Sequence, residues 1–309
     1  MAWLMIYLKG MAMGAADVVP GVSGGTIAFI TGIYERLIQA IRAFDLNWLK
    51  LLLRGQWRDC WQRADGAFLV ALLAGIGTSI VTLAGAISWL LEHEPVLIWS
   101  FFFGLIVASS LFIMRQIRRW TVPVAVLLAL GGGAALAVGM ARPAEVEITT
   151  LYVFFCGAIA ICAMILPGIS GSFILVLLGA YAHVLDAVNQ AQLGTLVVFM
   201  AGCVCGLLAF SHLLGWLLQH YHDPMMASLT GFLIGSLYLI WPWKEVLSYR
   251  ISSSGEQKPL AWLNVSPERF AEVSGADSQV LLALLLAAGG IALVLGLEYL
   301  SGGSRRQEA

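Results

Sequence analysis

The chain has 309 residues, 60% of them hydrophobic and only 11% charged. Soluble globular domains carry about 45–50% apolar and about 25% charged residues, so a soluble fold is excluded and a bilayer implied. Lys and Arg number 17 against 18 Asp and Glu, which leaves no basic surface for nucleic acid.

In chain order, residues 1–10 lack both a basic leading region and a small-residue cleavage site, so they read as working structure, not a signal peptide. Residues 1–41 form one apolar region. As a single helix it would reach about 60 Å, twice a hydrocarbon core of about 30 Å. Pro20-Gly21 interrupts it, and the region reads as two half-helices meeting at a non-helical turn. Residues 42–65 follow with Arg42, Lys50, Arg54, Arg58 and Arg63. Residues 66–91 and 96–114 are each long enough to span, and Glu92-His93-Glu94-Pro95 joins them. A short loop with Arg115, Arg118 and Arg119 leads to a third span at 120–140. Residues 151–188 are again too long for one crossing and are broken by Pro167-Gly168. Spans at 194–218, 225–243 and 279–297 complete the chain, with a loop of mixed charge at 244–275.

The two broken regions are near copies. Pro20-Gly-Val-Ser-Gly-Gly-Thr-Ile-Ala-Phe-Ile-Thr-Gly-Ile-Tyr34 aligns with Pro167-Gly-Ile-Ser-Gly-Ser-Phe-Ile-Leu-Val-Leu-Leu-Gly-Ala-Tyr181, Pro167 standing 147 residues after Pro20. Downstream, Gly75 pairs with Gly202, Trp89 with Trp216, His93 with His220 and Gly104 with Gly231, each pair 127 residues apart. This is an internal duplication. Basic loops stay cytoplasmic, which puts residues 42–65 and 115–119 inside and Glu92–Glu94 outside. If each Pro-Gly unit is a re-entrant hairpin, the repeats are inverted and Arg305-Arg306 falls inside. If the units cross fully, the repeats are parallel and that pair falls outside. The hairpin reading satisfies the charge rule. It gives an all-α polytopic membrane protein with a single integral domain over 1–309. Repeat 1 covers about 1–114, a connecting helix 120–140, repeat 2 151–243 and a C-terminal helix 279–300.

Broken helices in inverted repeats build transporter sites near mid-membrane. In the first turn Ser23 can cap the following helix, and Gly24, Gly25 and Thr26 can turn free N–H groups and a positive dipole end inward. Ser170, Gly171 and Ser172 repeat the arrangement, and two such ends suit an anion, phosphate above all. Packed helices merely kinked by Pro and Gly are the alternative. Charges at membrane depth cost several kcal/mol and mark pathways. Asp17, three residues before Pro20, takes a proton or cation, or else ties down loose amides. Lys9 faces Asp17 or the anion, or snorkels to the interface. Glu35 and Arg36 receive a headgroup at the inner mouth or form an interfacial pair. His212 carries a proton or packs. Cys60, Cys156, Cys162, Cys203 and Cys205 have no zinc-ligand spacing with histidines, so no metal and no cofactor is expected.

Met13-Gly-Ala-Ala-Asp-Val-Val-Pro-Gly-Val-Ser-Gly-Gly-Thr-Ile-Ala28, followed by Gly32-Ile-Tyr-Glu-Arg36, resembles the signature of the family formerly called domain of unknown function 368. Ala163-Met-Ile-Leu-Pro-Gly-Ile-Ser-Gly-Ser172 with Gly179-Ala-Tyr181 resembles its second hallmark. The likeness covers nearly the whole chain. It implies a PopT-type polyprenyl-phosphate transporter of prokaryotes, returning undecaprenyl phosphate from the outer to the cytoplasmic leaflet of the inner membrane. A membrane phosphatase would need a nucleophile with an acid–base partner, and neither turn contains His or Cys. An ion-coupled carrier of a small soluble anion is the closer rival, because the same helix ends would suit it.

Overall fold

The computed structural model of the chain describes residues 2–19, 22–141, 143–144, 146–251 and 257–305; the predicted Pro20-Gly21 break lies outside the described residues. The first apolar region is three helices rather than two: α1 (Ala2–Val18), α2 (Gly24–Ile30) and α3 (Tyr34–Arg42). The additional break is Gly32, at φ +71°, a conformation glycine adopts without the Cβ clash other residues suffer. The basic connection folds as α4 (Leu46–Leu53) and α5 (Trp57–Arg63). Leu46, Leu53, Trp57 and Trp61 stay exposed there beside Lys50, Arg54 and Arg58, the amphipathic composition of helices lying in a membrane interface.

Long spans follow as α6 (Gly66–His93), α7 (Pro95–Met114) and α8 (Val122–Met140). The second broken region is α9 (Thr150–Ile165), α10 (Gly171–Leu177) and α11 (Tyr181–Asn189), with Gly179 at φ +67° and a bend of 112° between α10 and α11. Then come α12 (Leu193–His220) and a short α13 (His222–Ser236). The mixed loop holds an element that was not expected, an antiparallel hairpin of β1 (Lys244–Ile251) and β2 (Gln257–Asn264), followed by α14 (Pro267–Ser274). The last helix is α15 (Val280–Arg305). Helices α6, α7, α8, α12 and α15 are apolar and long enough to cross a bilayer: this is a multi-pass membrane protein. In α7, 56% of the span is buried, against 11–22% in the other four, so α7 is the central post and the others face lipid.

Glycine contacts set the packing. Gly10 and Gly75 bring α1 and α6 backbone to backbone, with Gly75 under the Tyr7 carbonyl and Gly10 under that of Leu72. Gly157 and Gly202 do the same for α9 and α12, against Phe199 and Phe154. Phe154 and Phe199 are the repeat counterparts of Tyr7 and Leu72, so the duplication is legible in contacts as well as letters. Helix α8, expected as a connector, lies along α13, with Gly131 against Ser228 and Gly231 against Leu128. Helix α15 lies along α7 in the same way, with Gly290 against Phe101 and Gly104 against Ala287.

Each Pro-Gly unit turns back on itself. The Gly24 amide meets Asp17 at one end of α2, and Lys9 reaches the Thr31 carbonyl (2.7 Å) at the other, so α2 returns along α1. In the copy, Gly171 packs against Ala160 and the Tyr152 hydroxyl donates to the Leu178 carbonyl (2.7 Å). Thr31 and Leu178 are counterparts. Each carbonyl freed by the glycine break is satisfied, by a lysine in one copy and a tyrosine in the other, as buried backbone requires.

Candidate substrate site

The two hairpin tips meet. Ser23 Oγ donates to the Met164 carbonyl (2.9 Å), the Gly168 amide donates to Thr26 Oγ1 (3.1 Å), and Gly25 lies against the Ile165 carbonyl. All of α2 is buried. Irregular backbone survives at membrane depth only where protein or a wet cavity satisfies it, and here each tip satisfies part of the other.

The two helix starts differ in charge. In α2 the Gly24 amide donates to Asp17 Oδ1 at 2.6 Å, the Gly25 amide to Ser23 Oγ at 3.0 Å and the Thr26 amide to the Ser23 carbonyl at 2.9 Å. A carboxylate of the chain already sits where an incoming anion would. In α10 the counterpart of Asp17 is Met164, and the cap is loose: Ser170 Oγ is 3.5 Å from the Phe173 amide and 2.6 Å from Ser172 Oγ. Ser172 is exposed and Gly171 partly so. Of the two ends, the α10 start is the more exposed and the more loosely capped.

The remaining sequence candidates scatter. Lys9 braces the α2 terminus rather than pairing with Asp17. Arg36 is held by Asp65 at 2.6 Å and lies over the Phe68 ring. His212 is exposed on α12, its Nδ1 2.8 Å from the Leu208 carbonyl of its own helix. Glu35 lines a cavity of about 550 Å³ together with Tyr34, Arg115, Gln116, Arg118 and His222. A neighbouring space of about 180 Å³ shares Glu35, Arg118 and His222 and adds Arg42 and Gln219. Both lie at the basic end, where the Asp223 carboxylate accepts the amides of Arg118 (3.1 Å) and Arg119 (2.9 Å) and lies 3.2 Å from His222 Nδ1. Among the described residues, no group of three or more His, Cys, Asp or Glu is placed to hold a metal.

A family model described as undecaprenyl phosphate translocase-like matches residues 13–258. The chain belongs to the undecaprenyl phosphate translocase-like family. It is 53% identical over 298 residues, 96% of its own length and 97% of the relative's, to a protein of Vibrio cholerae named polyprenyl-phosphate transporter. A Staphylococcus aureus protein of the same name is 29% identical over 78% of this chain and 86% of its own. No solved structure matches. The translocase-like match spans both tips and the cavity residues Tyr34, Arg115, Arg118 and His222, and ends before α15. None of these four stands out as a site residue from the sequence alone. The signal present was the arginine loop, which reads first as a topology marker; nothing in its spacing says that it folds onto the start of α13.

Proposed function

We propose that the protein carries polyprenyl phosphate, undecaprenyl phosphate in particular, from the outer to the cytoplasmic leaflet of the bacterial inner membrane. The lipid is thereby returned for re-use as the carrier of envelope sugars. The observation that carries this reading is the 53% identity, over nearly the full length of both chains, with a relative named polyprenyl-phosphate transporter. The geometry supports it. A phosphate head must cross about 30 Å of hydrocarbon while its tail remains in lipid, and the tips offer polar backbone at membrane depth.

In this reading the chain is two inverted repeats, α1–α3 with α6–α8 and α9–α13 with α15, each repeat exchanging its last helix with the other. Ser170, Gly171 and Ser172 meet the phosphate. Asp17, Ser23, Gly24, Gly25 and Thr26 form the braced partner tip against which the α10 tip moves. Alternating access is supported by an asymmetry: α3 packs across the repeat boundary, Arg42 against Gly215 of α12, whereas its counterpart α11 leaves Tyr181 and Leu185 exposed.

The test is leaflet-resolved transport in proteoliposomes containing polyprenyl phosphate. Protein-dependent loss of the lipid from one leaflet, unaffected by excess inorganic phosphate, is expected. Transport of inorganic phosphate with no lipid movement would replace this reading with a carrier of small anions.

A further inference from the structure

We propose that the 550 Å³ cavity at the basic end is a seat for a phosphate monoester, where the headgroup rests on the cytoplasmic side. The inference rests on the transport reading above and adds to it a second site, away from the hairpin tips. It starts from Tyr34. That residue lines the cavity and is 2% exposed, its ring is held against Phe29 at a centroid distance of 4.2 Å, and its buried hydroxyl has no hydrogen-bond partner among the described residues. A buried hydroxyl without a partner is costly and calls for an explanation. A ligand oxygen in the cavity supplies one.

The cavity is also lined by two exposed arginines, Arg115 and Arg118, and by His222. Asp223 holds the Arg118 backbone and, by accepting from His222 Nδ1–H, leaves His222 Nε2 for another partner. Arg115 lies 3.9 Å from Glu298, a distance at which a phosphate oxygen can compete for the guanidinium. Arginines of this kind are the residues that recognise phosphate bidentately. Glu35 and Glu298 share the wall and set the charge so that an anion is received but also released.

The duplication argues that this is a specialised site and not a by-product of the fold. The counterparts of Arg115, Gln116 and Arg118, 127 residues on, are Pro242, Trp243 and Glu245, and the counterpart of His222 is Pro95. At the other end these four positions carry no arginine or histidine, and the lysine there, Lys244, is taken up by the Leu239 carbonyl and the Trp99 ring. A headgroup that has crossed would therefore be retained at the basic end.

The test is equilibrium binding of a short-chain polyprenyl phosphate to the purified full-length protein, with inorganic phosphate as competitor. Tyr34→Phe removes only the orphan hydroxyl and should weaken binding about tenfold while leaving thermal stability equal or higher. A purely structural Tyr34 would show the stability effect without the binding effect. Arg118→Gln leaves the backbone contact to Asp223 intact and should also weaken binding about tenfold or more. Arg58→Gln, on exposed α5, is the control. If the wild type binds and transports the lipid and both variants bind as the wild type does, the cavity is not the seat. If the wild type neither binds nor transports the lipid, the transport reading fails first. Inorganic phosphate that displaces the lipid at equal concentration, with the same loss in both variants, would overturn the lipid headgroup as the source of the ligand.

Discussion

Asp17 shows how one residue decides what a helix end can do. Its carboxylate accepts the first amide of α2 at 2.6 Å and presses against the Gly24 Cα, where an added Cβ would lie 2.6 Å from Oδ2. A Gly24→Ala change must therefore displace the brace, and thermal unfolding in detergent should show a clear loss of stability. In an Asp17→Ala background the same change should cost much less, because residues in contact are not additive. Ser23→Ala should cost about 1 kcal/mol, the usual loss of an N-cap, with its bond to the Met164 carbonyl lost as well. Ser170→Ala should cost less, since that cap is stretched to 3.5 Å. Equal losses at the two serines would contradict the distinction between a braced tip and an open one. The sequence already displays the asymmetry as Asp17 opposite Met164, but not its meaning. Which amide the carboxylate reaches depends on the return path of α2 along α1, and no local pattern encodes that path.

At the scale of elements, the apolar spans and the duplicated breaks were legible because a bilayer imposes length and composition on each helix. Three features were not legible, each because a distant partner decides it. The break at Gly32 and Gly179 is a single glycine in an apolar run, which reads equally well as a packing contact. The pairing of α8 with α13, and of α15 with α7, rests on backbone approaches at Gly131 and Gly290 that no local pattern encodes. The β1–β2 hairpin is fastened by Lys244, whose ammonium reaches the Leu239 carbonyl (2.5 Å) and lies 4.1 Å from the centre of the Trp99 ring on α7. Burial pushes the pKa of Lys244 down from 10.5 to about 7. The sign follows from proton counts. Between about pH 7 and 10.5 the unfolded chain holds the proton and the folded one does not, so stability rises with pH across that window. Below about pH 7 both forms are protonated and the burial cost is borne in full. Lys244→Met should therefore be more stable than the wild type at pH 6, with the difference closing toward pH 10. A thermal-unfolding series over that range checks it. A difference independent of pH would mean that Lys244 is not titrating in the folded protein.

The whole molecule holds two arms of similar sequence in different surroundings. Tyr34 and Ile38 of α3 are 2% and 1% exposed, whereas their counterparts Tyr181 and Leu185 of α11 are 42% and 43% exposed. Arg42 lies on Gly215 of α12; the corresponding pair at the other end is Asn189 with Ser88 of α6. If the repeats exchange conformations during transport, the second pair must close when the first opens. In a cysteine-free background, Arg42→Cys with Gly215→Cys should be joined by a short bis-maleimide in the resting protein, and removing the arginine clears the space that a side chain at 215 requires. Ser88→Cys with Asn189→Cys should be joined slowly at rest and faster when polyprenyl phosphate is supplied to reconstituted protein. Joining the first pair should suppress joining of the second within the same chain. Both pairs joining fully in one molecule would show that the arms do not alternate, and the asymmetry would then be a fixed property of the fold, with α3 a permanent seal and not a gate.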